Sequence, residues 1–382
     1  MKGWTKKPVG NLVAIEKGKK APKTFAAPTQ TSVRYLQIED LRPNANIKYC
    51  EPFNCPKATN SDAIIAWDGA NAGTVSCNLE GLIGSTLAVL RPIDANSLSP
   101  VFLSRFLGGN FRYLQRTATG ATVPHLSKDA LKGLQIPVPP LAEQERIVKL
   151  LDEADDLRKL RTQADLRMAD FIPALFHEMC GPPYRVPVKP LEQLAAVVSG
   201  VAKGRIFNGE KPVTVSYLRV ANVQAGRLDL TELKTIQALP KEVEELSLKK
   251  GDVLLTEGGD FDKLGRGAML DRDLPNCIHQ NHVFRVRCER SQLLPEWFAS
   301  FLLTQDARYY FRRCAKKTSN LASINMTQLR ALPVPLPPLP LQEEFAQRVR
   351  EIRELESAQA HSRGRLESLF QSVLYRAFNG EL

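Results

Sequence analysis

The chain has 382 residues, 43% of them hydrophobic and 24% charged, which is typical of a globular protein with two or more domains. Its formal net charge of +11 favours an anionic partner such as nucleic acid, although a basic surface without such a partner is the alternative. No apolar run reaches the length of a membrane span, residues 1–4 open no signal peptide, and the seven cysteines lack metal-site or disulfide-framework spacing, so we expect a cytoplasmic protein with reduced thiols and no membrane contact.

A first globular domain is predicted over residues 1–130. Short apolar runs bounded by turn residues predict strands at 33–38, 63–67 and 87–90, and Pro92 stops the last of them. A helix is predicted over residues 100–116, with Phe102, Phe106 and Tyr113 facing inward.

A proline-rich segment and a long helix are predicted over residues 131–180. The run from Ile136 to Leu141 contains three prolines and must be extended, and Glu143 and Glu145 suit the start of a helix. Pro173 predicts a kink near the end of this helix. Apolar residues at heptad spacing, interrupted by Arg161, predict a seam for a partner helix: Ile147, Leu150, Ala154, Leu157, Ala164, Met168, Phe171 and Leu175.

The proline-rich segment followed by a long helical pattern recurs over residues 329–382. The offset is constant, because 335 − 137 and 343 − 145 both equal 198. Each helical pattern runs for roughly 38 residues, or about 55 Å, and the simplest partner for one helix is the other. The second seam has a polar middle at Gln359 and Ser362, and its apolar positions are Phe345, Ile352, Leu355, Leu366, Leu369 and Val373.

A second domain is predicted over residues 181–328, with a linker up to Pro190. Its strands at 215–220 and 252–255 and its helix at 295–313 repeat those of the first domain, with Trp297, Phe301 and Tyr309 in similar places. A further strand is predicted at 283–286. The halves therefore share a fold and differ in loops, where binding specificity usually lies.

Three segments of the second domain are candidates for nucleic-acid contact, each weighed against an ordinary structural role. The glycine-rich loop 257–267 offers Lys263 and Arg266 to phosphates or base edges. Gln280 and Asn281 suit adenine, although such amides more commonly satisfy buried backbone. Basic and aromatic residues alternate over 308–317, where a solvated helix face is the alternative. In the first domain, residues 67–73 occupy the place of the glycine-rich loop.

Sequence motifs for catalysis are missing. Residues 181–184 resemble the Asn/Asp-Pro-Pro-aromatic loop of DNA adenine methyltransferases, but Gly181 replaces the required amide or carboxylate, so a linker is the better interpretation. There is no phosphate-binding Gly-x-x-x-x-Gly-Lys-Ser/Thr motif. Residues 260–263 lack the partner motif of a nuclease, and His279 and His282 adjoin a predicted strand, which makes a metal site improbable. We predict no catalytic residue and no metal ligand.

Two variable halves, each followed by Pro-x-Pro-Pro-Leu, Gln-Glu and a long helix, resemble the specificity subunits of type I restriction–modification enzymes over essentially the whole chain. The resemblance implies an α+β fold with target-recognition domains at 1–130 and 181–328. Each domain is followed by a proline-rich segment with a spacer helix (131–180 and 329–382), and the two helices form an antiparallel coiled coil with pseudo-two-fold symmetry.

The resemblance implies that each domain reads half of a split sequence in double-stranded DNA and that the helices set the spacing. Two modification (methyltransferase) subunits would dock on the chain, with room for two restriction subunits, in the cytoplasm of a prokaryote. S-adenosylmethionine, ATP and Mg²⁺ would bind those partners. The expected DNA contacts are Lys263, Arg266, Gln280, Asn281, Arg34, Asn71 and Ser76. The expected partner contacts are Pro137, Pro139, Pro140, Gln144 and Glu145 with their copies Pro335, Pro337, Pro338, Gln342 and Glu343.

Two other classes of function stay open at this point. A methyltransferase or nuclease of unfamiliar motif would need a cofactor loop or carboxylate cluster, and the sequence has neither. A scaffold that binds protein instead of DNA would not need the +11 charge or the basic, amide-rich loops.

Overall fold

The computed structural model describes residues 3–42, 46–120, 122–181, 186–207, 209, 211–259, 261, 264–317 and 322–382. The chain divides into two compact units. Unit 1 comprises Met1–Thr162 with His361–Leu382, and unit 2 comprises Gln163–Ala360. The division falls inside both long helices, so each unit contains part of each.

Short strands dominate the first part of unit 1, where apolar residues alternate with turn residues. The strands predicted at 33–38, 63–67 and 87–90 are confirmed, with shifted ends. The strands are β1 (Lys6–Pro8), β2 (Val13–Lys17), β3 (Val33–Leu36), β4 (Lys48–Cys50), β5 (Lys57–Ala58), β6 (Ala63–Ala66), β7 (Val75–Cys77), β8 (Gly81–Ile83), β9 (Leu87–Pro92) and β10 (Gln135–Pro137). The helices are α1 (Pro100–Gly109), α2 (Phe111–Arg116), α3 (Lys128–Gly133) and the long α4 (Leu141–Met168).

Two four-stranded sheets form the body of unit 1. One has the strand order β2–β9–β6–β7 and is antiparallel, and the other has the order β4–β3–β8–β5 with β8 parallel to β3. The first sheet packs against α1, the start of α4 and the end of the chain in one apolar cluster. Phe378 lies 5.2 Å from both Phe102 and Phe106, measured between ring centroids, and so joins the last helix to α1.

Unit 2 begins inside α4, at Gln163. Its strands are β11 (Val188–Pro190), β12 (Ala195–Ser199), β13 (Val213–Leu218), β14 (Val223–Gln224), β15 (Arg227–Leu228), β16 (Lys234–Ala238), β17 (Val253–Thr256), β18 (Gly258–Gly259), β19 (Gly267–Met269), β20 (Cys277–His279), β21 (Val283–Cys288), β22 (Lys316–Lys317), β23 (Ala322–Ser323) and β24 (Pro333–Pro335). Its helices are α5 (Phe171–Cys180), α6 (Pro240–Leu246), α7 (Pro295–Phe301), α8 (Gln305–Cys314), α9 (Met326–Arg330) and the long α10 (Leu339–Asn379). The predicted strands and the helical stretch are again confirmed with shifted ends.

The two units repeat one strand order and one register. The sheet β12–β21–β17–β19 matches β2–β9–β6–β7, and Val253 pairs with Val286 as Ala63 pairs with Leu90. An ion pair with a buried carboxylate is repeated as well: the Arg91 guanidinium lies 2.9 Å from the Asp62 carboxylate, and that of Arg287 lies 2.7 Å from Asp252. The expectation that the second half repeats the first is therefore confirmed.

Each helix predicted after the strands is in fact two helices. Asn110 ends α1 and precedes α2, and residues 302–304 separate α7 from α8. The interruption turns the second helix about its axis, so Leu114 and Phe311 are buried. Tyr113 and Tyr309, which the continuous period predicted to face inward, are exposed, and that prediction is wrong.

Each proline-rich segment forms a strand and then a corner locked by a buried glutamine. Strand β10 pairs with β1, and β24 pairs with β11. The Gln144 side chain accepts a hydrogen bond from the Ser99 N–H (2.9 Å) and donates to the carbonyls of Ser97 and Pro139 (both 2.8 Å). Gln342 makes the same three bonds, to the N–H of Leu294 and the carbonyls of Gln292 and Pro337.

This corner corrects part of the predicted partner surface. Gln144 and Gln342 have no exposed surface, and their amide groups are hydrogen-bonded within the chain, so they cannot contact another subunit. The first two prolines of each segment are buried too: Pro137, Pro139, Pro335 and Pro337. The members of the predicted set that lie on the surface are Pro140, Glu145, Pro338 and Glu343.

The predicted kink near Pro173 is a full break between Met168 and Phe171. Pro173 is the third residue of α5, where its missing N–H costs no hydrogen bond. Within unit 2, α5 packs against α7 and α10 through aromatic rings, with Phe176 4.4 Å from Trp297 and 5.7 Å from Phe345.

The long helices run antiparallel within unit 1, as expected. Ile147 and Leu151 of α4 share the core with Ala377, whereas Arg158, further along α4, bonds to Glu367 (2.7 Å) and lies 4.3 Å from the Phe370 ring centroid. The predicted heptad seam is partly wrong, because a straight helix of 3.6 residues per turn drifts away from a strict heptad. Four residues of that seam are exposed: Leu157, Phe171, Leu355 and Leu369.

Replacing Gln144 by alanine is expected to destabilise unit 1 by about 2–4 kcal/mol, because it leaves a buried N–H and two carbonyls without partners. Urea unfolding followed by the fluorescence of Trp4 and Trp67, in a chain whose Trp297 is replaced by Phe, measures the change. Glu145→Ala, next in sequence but exposed, is the control and should cost less than about 0.5 kcal/mol. Equal destabilisation in the two variants would contradict the role assigned to the buried amide.

Candidate nucleic-acid interface

At one end of the main sheet in unit 2, the last residue of β17 lies beside the first residue of β21, because Thr256 pairs with Val283. We refer to this end of the strands as an edge of the sheet domain. Just beyond the pair, the Glu257 N–H donates to the His282 carbonyl (3.0 Å). The side chains meet too, with His282 Nδ1 2.7 Å from the Glu257 carboxylate. The chain leaves the sheet here on both strands, so the loops that follow project from a fixed base.

A three-stranded ribbon, β18–β23–β22, extends from this edge. Gly258 pairs with Ser323, which pairs in turn with Lys316. A Cβ at Gly258 would lie 3.1 Å from the Ala322 carbonyl oxygen, so glycine suits this close strand contact. The ribbon brings the glycine-rich loop and the basic segment, separate candidates in the sequence, to one place. We call this surface the loop edge of unit 2: residues 257–259, 280–282, 316–317 and 322–323.

Cations and aromatic rings border the loop edge of unit 2. The Arg312 guanidinium lies 5.9 Å from the centroid of the exposed Phe261 ring. Helix α8, which leads into the ribbon, exposes Tyr309, Arg312 and Arg313, and Lys316 follows on the ribbon itself. Such a combination of exposed cations and exposed rings suits a nucleic acid, whose phosphates attract the cations and whose bases stack on rings.

Three of the four predicted DNA contacts of unit 2 lie beside this edge. The Arg266 carbonyl accepts from the Thr256 N–H (2.9 Å), and its guanidinium bonds to Gln224 (3.2 Å). The N–H groups of Gln280 and Asn281 are fixed to the carbonyls of Leu218 and Val201, each at 2.9 Å, and their side chains are half-buried. The fourth, Lys263, lies outside the described residues, as do Asp260 and Asp262.

His279 is a core residue. Its side chain is fully buried, and Nδ1 lies 2.7 Å from the Val283 carbonyl oxygen, so Nδ1 carries the proton and donates it. Burial lowers the pKa of His279 to about 4, because the charged imidazolium would lose its hydration. The neutral ring therefore packs beneath the loop edge and takes no part in it.

The corresponding loop edge of unit 1 carries different side chains. Asp68, which follows β6, bonds to His125 Nδ1 (2.7 Å) and to the Lys17 amine (2.9 Å). Burial alone would raise the pKa of the Asp68 carboxyl, but the hydrogen bonds from His125 and Lys17 outweigh it and lower the pKa, so the carboxylate stays ionised. The backbone of His125 bridges to both Asp68 and Thr119. We define the loop edge of unit 1 as Lys17, Trp67, Asp68, Thr119 and His125.

The three predicted DNA contacts of unit 1 do not lie together in the structure. Asn71 lies in the turn after β6, next to this edge, where its side chain accepts from Arg42 (2.5 Å). The Arg34 guanidinium instead bonds to the buried Asp40 (2.7 Å), whose other oxygen accepts from the Gln37 N–H. Ser76 pairs with Ile64, inside the sheet away from its loop edge. Arg34 therefore has a structural partner within unit 1, and Ser76 stands apart from the other candidates.

Sequence reasoning missed Lys17, Thr119 and His125. The spacing of the sequence repeat could have located His125. His125 precedes Pro137 by the same 12 positions that separate Ser323 from Pro335, since 137 − 125 and 335 − 323 are equal. Aligning the halves backward from the prolines would have placed His125 on the ribbon position of Ser323.

Within the described part of the chain, no three His, Cys, Asp or Glu side chains come together as a metal site. The same residues include no helix that is long and apolar enough to cross a bilayer.

Comparison with known proteins agrees with this architecture. The family model of the type I restriction–modification DNA specificity domain matches residues 1–166 and again residues 188–360. The chain belongs to this family and contains its domain twice. Similar proteins include the MjaVIII specificity subunit of Methanocaldococcus jannaschii (23% identity; 99% of this chain and 93% of the relative) and the EcoKI specificity subunit of Escherichia coli K12 (24%; 85% and 76%).

Solved structures share the fold. A chain from a study of the assembly and conformational transition of a type I restriction–modification system superposes with a TM-score of 0.67 at 19% identity, covering 100% of this chain and 99% of that one. The specificity subunit from M. genitalium gives 0.54 at 15% identity, covering 98% and 96%.

Lowering the pH from 7 to 5 is expected to destabilise unit 2 by about 2 kcal/mol through His279. The unfolded imidazole takes up a proton below pH about 6.5, whereas the folded one resists it down to about 4, so stability falls across this window. Urea unfolding followed by Trp297 fluorescence, with Trp4 and Trp67 replaced by Phe, reports unit 2. His279→Gln should remove this pH dependence, and His177→Gln, at a histidine that is only partly buried, should keep it. An unchanged slope in His279→Gln would contradict the assignment.

Proposed function

We propose that the chain is the DNA-recognition subunit of a type I restriction–modification complex and that it reads a bipartite target, with one half-site for each unit. The observation that carries this proposal is the repeat of one scaffold with two different loop edges. Unit 1 offers Lys17, Asp68 and His125 where unit 2 offers Ser199, Gly258 and Ser323. Equal scaffolds place the two edges alike, and unequal side chains select different bases.

The two kinds of residue at each edge have separate tasks. Exposed cations such as Arg312 and Lys316 attract the phosphate backbone without regard to sequence. The planar amides of Gln280 and Asn281, whose backbones are held by the sheet, have the donors and acceptors that distinguish base edges. Contact with phosphates sets position and contact with bases sets specificity.

The long helices act as a spacer between the half-sites and as a platform for partners. Two modification subunits would dock, one at each proline corner, because the same exposed residues occur twice: Pro140 with Glu145, and Pro338 with Glu343. Restriction subunits would join this complex through the same assembly. S-adenosylmethionine, ATP and Mg²⁺ would serve these partners, and the complex would act in the prokaryotic cytoplasm.

The test is selection from a library of random duplexes by the chain purified with the modification subunit encoded beside it. Enrichment of a split sequence with a fixed gap is expected. Enrichment of a single uninterrupted site would contradict the bipartite proposal, and absence of DNA binding in any assembly would favour a protein scaffold instead.

Replacing Arg312 or Lys316 by alanine should weaken binding to all sequences alike. The plot of log K against log salt concentration should become shallower by about 0.9 for each phosphate that the variant no longer neutralises. Lys250, an exposed cation that precedes the first residue of β17 and so lies at the far end of this strand from the loop edge, is the matched control. A salt slope that changes as much in Lys250→Ala would remove the loop edge from consideration as the phosphate-binding surface.

Inserting four residues into α4 between Leu157 and Ala164, with four more in α10 between His361 and Ser368, should widen the gap between half-sites by about two base pairs. Four residues add about 6 Å to a helix, and base pairs are about 3.4 Å apart. Library selection measures the gap directly. Leu160→Ala, on the exposed face of α4, leaves the length unchanged and should keep the original gap. Preserved binding with an unchanged gap in the lengthened chain would exclude the spacer role.

A further inference from the structure

Each loop edge holds one half-exposed imidazole whose Nδ1 faces a carboxylate. In unit 2, His282 is 58% exposed and lies 2.7 Å from Glu257, which is 30% exposed. In unit 1, His125 is 53% exposed and lies 2.7 Å from Asp68, which is 16% exposed. The chain contains only five histidines, and two of them occupy these equivalent regions of the two units.

The two pairs are built from positions that do not correspond. The strand registers align Glu257 with Trp67 and His282 with Thr86, whereas Asp68 aligns with Gly258. The unit 2 pair therefore spans the ends of β17 and β21, and the unit 1 pair spans the strand end and the neighbouring ribbon segment. The same chemical device thus stands at a different place on each scaffold.

The geometry defines what each imidazole offers to a ligand. A carboxylate only accepts hydrogen bonds, so Nδ1 carries a proton and the ring orientation is held. Nε2, on the opposite side of the ring, is then an acceptor that faces a ligand. In unit 2 the Asn281 amide nitrogen lies 3.4 Å from it, a long contact that a base donor can replace, so His282 and Asn281 form one continuous polar row.

The neighbouring charge distinguishes a base from a phosphate as the ligand of this nitrogen. In unit 2 the Glu257 carboxylate behind the ring would repel an approaching phosphate, whereas a neutral base edge experiences no such repulsion. In unit 1 the Lys17 amine offsets part of the Asp68 charge, so the repulsion there is weaker. Phosphates have better partners nearby, because Arg312 and Lys316 are exposed and are not paired with acidic side chains in the described residues.

We propose that His282 and His125 are specificity-determining residues, each reading a base edge in one half of the target, and that Glu257 and Asp68 are positioning residues that aim the two rings. This inference rests on the proposed function and names the residues that read the bases. Because the two rings occupy different places on the scaffold, they read different positions within their respective half-sites.

The test uses the full chain with its modification subunit and the same random library. His282→Ala should abolish selection at one base position of one half-site, with a fall in discrimination of about 5- to 100-fold. His125→Ala should do the same in the other half-site only. The salt slope should stay unchanged in both variants, because no phosphate contact is removed. His177→Ala, at a partly buried histidine on α5, should alter neither half-site.

The positioning role has its own readout. Glu257→Gln should broaden selection at the base position that His282→Ala affects, and adding it to His282→Ala should cause no further decrease, since the carboxylate acts through the ring. His282→Gln keeps a planar polar group and should change the preferred base or restore part of the selection, with thermal unfolding confirming that all variants fold.

Two results would overturn the inference. Unaltered sequence selection in both histidine variants would show that neither histidine reads a base. Uniformly weaker DNA binding with a shallower salt slope would show that the histidines contact phosphates instead. A wild-type complex that selects no split sequence would instead refute the proposed function, so the two failures are distinguishable.

Discussion

The structure depends on one repeated corner, in which an extended proline segment gives way to a long helix over a buried glutamine. In each corner, two hydrogen bonds of the Gln144 or Gln342 side chain join the start of the long helix to the backbone just before α1 or α7, and a third is made to the proline segment itself. Prolines deliver the chain in extended form because they cannot continue a helix backward. Since the corner joins the helix to the sheet domain, the placement of every loop in a unit relative to its helix follows from it.

A second consequence of the repeat is the separation of scaffold from recognition. The ion pairs Arg91–Asp62 and Arg287–Asp252, at the far end of the strands, are the same in both units. The loop edges, four strand residues away, are not. Duplicating the supports while varying the edge permits two half-sites to be read by one fold, because a change at an exposed loop costs little stability whereas a change in the sheet costs much. The two carboxylate–imidazole pairs illustrate this freedom.

The paired helices combine an apolar start with a polar middle. Aromatic residues hold the two ends of α10, one in each unit: Phe378 packs in unit 1 and Phe345 in unit 2. In the middle of α4, Arg158 contacts Glu367 and Phe370 in place of an apolar seam. Charged contacts of this kind define register more than they add stability, which suits a spacer whose length matters. Leucines that such a seam would have buried, including Leu157 and Leu369, are left on the surface.

The sequence by itself determined the number of repeats, the α+β class, six of the central strands and the family, because the prolines, the glutamine and the apolar periods are local properties of the chain. It did not determine which side chains meet. Arg34 turned inward to the buried Asp40, Gln144 became a core residue rather than a contact, and Leu157 faced outward when the real helical period replaced the heptad. Only the tertiary structure brought Gly258 to Ser323 and Asp68 to His125. These pairs are separated by 65 and 57 residues (323 − 258 and 125 − 68), and strand pairing over such distances depends on the whole sheet.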